Sequence, residues 1–247
     1  MIKFFRKIRQ KMLTENKFGK YLTYAFGEII LVVIGILIAL SINNWNTQRL
    51  NKNEEQSYLK AIKTDLEKDT LLLGYLIKDI DIQLTKLKKI KDELHSDITT
   101  IQQSEEFTNS LLTTFPFIPE KTTIDELKSS GKLNLIENRQ VKDTLLLYYN
   151  YIDTSIFNLN TSLVEYSRNI IAPFLMTNYT LEYNYPGKLI TENSKIVNLN
   201  TEQKQNQFLN NAVKYRIAVL SILKIRYEEL IIKIIGLQKT FDREIKK

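Results

Sequence analysis

The sequence predicts an all-α protein: one N-terminal transmembrane helix followed by an elongated antiparallel bundle of three long helices and one short one. Three observations carry that reading. Twelve consecutive residues, Ile29 to Leu40 (IILVVIGILIAL), contain no polar side chain. Seven glycines and four prolines in 247 residues are too few for a turn-rich sheet protein. Beyond the apolar run, hydrophobic residues return at steps of three and four rather than two.

Widened to Tyr21–Ile42, the apolar run reaches about 20 residues, which at ~1.5 Å each span the ~30 Å core of a bilayer. Tyr21 and Tyr24 at the near end and Trp45 at the far end supply the amphipathic rings that favour membrane interfaces. Residues 1–20 hold Lys3, Arg6, Lys7, Arg9, Lys11, Lys17 and Lys20 against Glu15, and so account for most of the formal charge of +7. Basic residues beside a span favour the cytoplasmic side. The predicted topology is therefore an inner (cytoplasmic) membrane protein crossing once, with its N-terminus in the cytoplasm and its C-terminal domain in the periplasm. An apolar stretch of this length behind a 20-residue leader favours an uncleaved signal anchor over a signal peptide, whose apolar core is ~7 to 15 residues.

The predicted organisation is a basic amphipathic segment at 1–20, the span at 21–42, a juxtamembrane junction at 43–53 and a helical bundle at 54–247. In the leader, Ile2, Phe5, Ile8 and Met12 recur at helical spacing among the cations, a pattern suited to lying on an anionic leaflet. Within the span, Glu28, Val32, Gly35 and Ala39 share one helix face, and the small Gly35 and Ala39 let another helix approach closely. That face predicts helix pairing, in a homo-oligomer or with another envelope protein. The remainder of the chain is nearly charge-balanced, with no basic patch to follow a phosphate backbone, so nucleic acid is not an expected partner.

The run from Lys3 to Asn46, KFFRKIRQKMLTENKFGKYLTYAFGEIILVVIGILIALSINNWN, resembles the N-terminal signature of an uncharacterised family of small single-pass membrane proteins from Bacteroidota, a domain of unknown function. A looser similarity extends to IDELKSSGKLNLIENRQVKDTLLLYY, from Ile124 to Tyr149. The resemblance implies a membrane-anchored helical protein with no assigned activity, and it carries over no functional residues.

In the bundle, Leu59, Ile62, Leu66, Leu73, Leu76, Ile80, Leu87, Ile90 and Leu94 form a heptad-like seam, broken only by Asp69 and Gln83. No proline falls between Tyr21 and Leu94, so the span can run straight into this helix; Asn43 to Asn53 is where a break would fall. Pro116 and Pro119 frame an extended crossing. Thr123-Ile124-Asp125-Glu126 has capping-box spacing for a short helix ending near Gly131. Asn138 precedes a second long helix with the stripe Val141, Leu145, Tyr148, Ile152, Leu159, Leu163, Tyr166 and Ile170, ended by Pro173. Tyr183, Tyr185 and Pro186-Gly187 suggest a tiny hairpin with a type II turn. Asn200 or Thr201 caps the last helix, with the stripe Phe208, Ala212, Tyr215, Val219, Ile222, Leu230, Ile234, Leu237 and Phe241. This up, down, up path puts the Phe174–Asn200 loop at the membrane end and the C-terminus at the distal end.

No enzymatic activity and no cofactor are expected. Without cysteine, thiolate chemistry and Cys-ligated metal are excluded, and the one histidine, His95, reads as a solvated helix-end residue. No Gly-rich phosphate loop is present. The pairs Glu54/Glu55, Asp79/Asp81 and Glu228/Glu229 diverge on helices and read as solvated faces. Tyr179, Tyr183 and Tyr185 form the candidate contact loop. These readings favour a non-enzymatic interaction or scaffolding module in the envelope, bound to the lipid bilayer. The alternatives are an extracytoplasmic ligand sensor signalling through a separate partner, and an envelope hydrolase whose distant carboxylates converge in a cleft.

Overall fold

The computed structural model describes residues 18–94, 109–178, 180–184, 188–192 and 199–245. Helix α1 runs from Phe18 to Glu93. The stretch from Asn43 to Asn53 is helical throughout. Its polar side chains bond along the helix instead of competing with it: Thr47 Oγ1 donates to the Asn43 carbonyl at 3.0 Å and Lys52 meets Glu55 at 2.8 Å. The chain divides into two units, Met1–Glu55 and Gln56–Lys247. Residues 1–17 of the basic leader and His95 lie outside the described residues.

In the second unit α1 buries the predicted seam. Leu59, Ile62, Leu66, Leu73, Ile80, Leu87 and Ile90 are buried, and so are the two polar breaks, Asp69 and Gln83. A helical turn at 109–112 leads to an extended crossing at 113–121. Short helix α2, Thr122–Ser129, follows, ending at Gly131 with φ 70°, the left-handed conformation that glycine adopts without penalty. The expected capping box does not form. Thr123 sits inside the helix with its hydroxyl on Asp65, Glu126 accepts the Tyr58 phenol at 2.8 Å, and Glu120 meets the Thr122 amide and hydroxyl instead.

A 3-10 turn, Lys132–Leu135, leads to Asn138, whose Oδ1 accepts the Gln140 and Val141 amides at 3.0 and 3.3 Å and caps α3, Arg139–Tyr151. The rod then continues as a π turn, Ile152–Ile156, helix α4, Phe157–Tyr166, a second π turn, Ser167–Ile171, and α5, Ala172–Asn178. Each π turn advances the buried face by a residue. Ile156, Leu163, Ser167 and Ile171 are therefore buried, whereas Leu159 and Tyr166 are half-buried and Ile170 is exposed. Pro173 does not end the helix: it stands two residues after the second π turn, and the chain stays helical to Asn178.

Strands β1, Thr180–Asn184, and β2, Lys188–Glu192, pair antiparallel with Asn184 opposite Lys188, which is the small hairpin the sequence suggests; its turn at 185–187 lies outside the described residues. Helix α6 spans Leu199–Ile245, so Asn200 and Thr201 fall inside its first turn rather than before it. Its buried positions are Leu209, Ala212, Val213, Arg216, Val219, Leu220, Leu223, Tyr227, Leu230, Ile234, Leu237, Phe241 and Glu244. In the first half of the predicted stripe Ala212 and Val219 are buried and Phe208 is half-buried, whereas Tyr215 and Ile222 are exposed and their neighbours Arg216 and Leu223 are buried instead.

Contacts fix the directions of the legs. Gln56 Nε2 donates to the Glu244 carbonyl at 2.9 Å, Lys63 pairs with Asp242 at 2.7 Å and Lys224 with Asp81 at 2.7 Å, so α6 runs antiparallel to α1. Asn138 touches Glu244 and Tyr148 touches Asp69, so α3 to α5 run parallel to α1. The predicted path is thus reversed in its second half. The crossing and α2 form a full descending leg, which returns the chain to the Gln56 end before α3 begins. The chain leaving α5 is at the opposite end, and the C-terminal end of α6 lies beside Gln56.

Candidate functional site

An extended segment inside a helical bundle has no ladder partner, so its buried backbone groups must be met by side chains. The crossing and the start of α2 are held in this way at three points. Tyr227 donates to the Phe115 carbonyl at 2.6 Å and accepts the Phe117 amide at 3.1 Å, with Asn160 on the same hydroxyl at 3.2 Å and the Phe117 ring edge-on at 5.9 Å. Asp69 accepts the Glu120 amide at 2.8 Å through Oδ1 and the Tyr148 phenol at 2.9 Å through Oδ2, while the Tyr149 phenol donates to the Glu120 carbonyl at 3.2 Å. Asp65 accepts the Thr123 hydroxyl at 2.5 Å and faces Lys68 at 3.5 Å.

Burial raises the Asp69 carboxyl to about 6 against the opposing pull of its two hydrogen bonds, and Asp65 and Glu120 add to the rise. Burial likewise raises the Tyr148 and Tyr149 phenols well above the ordinary range, with Asp69 next in effect, and pushes Tyr227 up to about 12. Asp65 and Asp69, one turn apart on α1, and Glu120 of the crossing lie close enough to act on one another, a cluster that sequence periodicity does not single out. Its one visible signal was the break in the α1 seam at Asp69. Asp65 and Asp69 hold amides and hydroxyls of the crossing, α2 and α3, which makes them positioning groups for the chain itself. Among the described residues no group of three or more His, Asp or Glu side chains is placed to hold a metal.

The sequence-predicted carboxylate pairs part as expected, but not all onto solvent. Asp81 goes to Lys224, Glu229 to Arg226 at 2.9 Å and the Tyr151 phenol at 3.1 Å, and Glu55 is buried against Lys52.

On α1 within the first unit, the apolar run has mean hydropathy 2.7 in its most apolar window, with none of that window buried. Glu28 and Val32 line one shallow groove with Ala25, Ile29 and Val33. A side chain added at Gly35 would meet nothing within 4 Å, and on the same face Val32 and Ala39 are exposed while Glu28 is half-buried. Tyr24 and Trp45 are exposed, and the Arg49 guanidinium lies 5.5 Å from the Trp45 ring centroid. The Tyr21 side chain is not described. Tyr183 stands in β1 opposite Leu189, whereas Tyr179 and Tyr185 lie outside the described residues.

Fold and site together define a helical-bundle protein with one long apolar helix near its N-terminus, compatible with a membrane anchor. The chain belongs to a family of unknown function (DUF6090), whose model matches residues 28–212. The match takes in most of the apolar run and the Ile124–Tyr149 segment. No curated protein and no solved structure matches the chain.

Proposed function

We propose that this chain is a membrane-anchored envelope protein whose bundle acts as a non-enzymatic interaction or scaffolding module. The observation that carries the reading is the uncovered apolar run: the core helix of a soluble protein buries such a run, and this one buries none of its most apolar window. The family match begins at residue 28 and so includes most of the run, which fits an anchor better than a removable leader. In this reading α1 crosses the inner membrane once, residues 1–20 stay in the cytoplasm and residues 54–247 stand in the periplasm. Tyr24 and Trp45 lie at the two interfaces, and Arg49 beside Trp45 reaches the headgroups. The small residues Gly35 and Ala39, on the face shared with Glu28 and Val32, receive a second copy of the same helix.

The test is made on membranes from cells producing the full chain. The protein is expected to stay in the pellet through an alkaline carbonate wash, and residues 54–247 are expected to be digested by protease added to spheroplasts. Release into the wash, or a protected domain, rejects the anchor or its orientation. Cross-linking in the same membranes is expected to trap a dimer or a larger complex; monomer alone rejects the interaction role.

A further inference from the structure

Arg216 occupies a seam position of α6 between Val213 and Leu220, in a series that is otherwise apolar apart from Tyr227 and Glu244. Its side chain is fully buried, and Nε, Nη1 and Nη2 meet no acceptor among the described residues. The phenols of Tyr166 and Tyr215 bear on its charge, and their rings meet with centroids 4.3 Å apart. Tyr215 is 41 % exposed, so the tyrosine pair leads from the seam to solvent. Burial lowers the guanidinium only to about 10, and it stays charged at neutral pH.

A buried cation without a counter-charge is a heavy cost that an apolar side chain of similar volume avoids. The position is intelligible as one half of a pair. A guanidinium presents a planar fork of N–H donors, which is matched by two oxygens of a carboxylate or a phosphate, and adjacent phenols can donate to the same anion. We propose that Arg216, with Tyr166 and Tyr215, forms a receptor for a small oxyanion, a carboxylate or phosphate, taken up from solution. The site stands whether or not α1 lies in a membrane, so failure of either reading leaves the other intact.

The test uses the full chain in a non-ionic detergent and Tris chloride, with thermal unfolding followed as sodium acetate or inorganic phosphate is added at ionic strength held constant with sodium chloride. The melting temperature of the wild type is expected to rise saturably with at least one of the two, and the one that acts names the ligand class. R216M is expected to melt above the wild type without oxyanion and to ignore both anions. R216K keeps the charge but loses the fork, and its half-saturation is expected to be at least tenfold weaker. A wild type that responds to neither anion, or an R216M that responds as the wild type does, overturns the proposal. If R216M does not fold, R216K decides, and a response equal to that of the wild type overturns it.

Discussion

Tyr148 donates its phenol to Asp69 at 2.9 Å inside the bundle, and the other oxygen of the same carboxylate holds the Glu120 amide. One side chain of α1 therefore ties α3 and the extended crossing to a single point.

The Asp69 carboxyl rises from 3.8 to about 6 on folding. Between those values the folded state holds the proton more tightly, so the stability gained from protonation is complete below the unfolded value and is lost as pH rises through about 6. The groups that face it are Asp65, Glu120 and Tyr148. Between pH 5 and 7.5 the wild type is expected to lose about 1 kcal/mol relative to D69N, allowing for solvent screening. Urea midpoints of both proteins at the two pH values measure this; parallel changes would contradict it.

Removing the Tyr227 hydroxyl leaves the buried Phe117 amide and Phe115 carbonyl without their partner. Y227F is expected to cost ~2–4 kcal/mol although the ring and its packing remain. Denaturant unfolding of the full chain reads the loss, and a change below about 0.5 kcal/mol would show that the crossing is held elsewhere.

The phase of α6 separates two neighbouring residues. Leu223 is fully buried and Ile222 is 47 % exposed, so L223A is expected to cost ~2–5 kcal/mol and I222A under about 0.5. The sequence-derived stripe, which contains Ile222, predicts the opposite order.

The direction of the legs is open to a cysteine test, because the chain contains none. A short bis-maleimide is expected to join Q56C to E244C within one chain, and to leave Q56C with M176C unjoined. Joining of the second pair and not the first would restore the path read from the sequence.

The α1 seam was legible because its heptads run without drift, and even its exceptions were informative: Asp69 and Gln83 break the pattern and are nonetheless buried. The stripe of α3 to α5 slipped because a π turn leaves no mark in a three-and-four pattern, so Ile170 was read where Ile171 is buried. On α6 the true phase requires an arginine in the core, and any reading by hydrophobicity steps aside from Arg216 to Tyr215. The reversed path has one cause. The crossing has no periodicity, so the hydrophobic pattern marks it as a tip when it is a leg.

The bond from Gln56 to the Glu244 carbonyl joins the first residue of the second unit to its last turn. Domains whose ends meet in this way tolerate insertion and circular permutation. The bundle can thus be grafted as a cassette into a surface loop of a host protein, or reopened at 185–187 with its present ends linked, without separating any pair of helices that now touch.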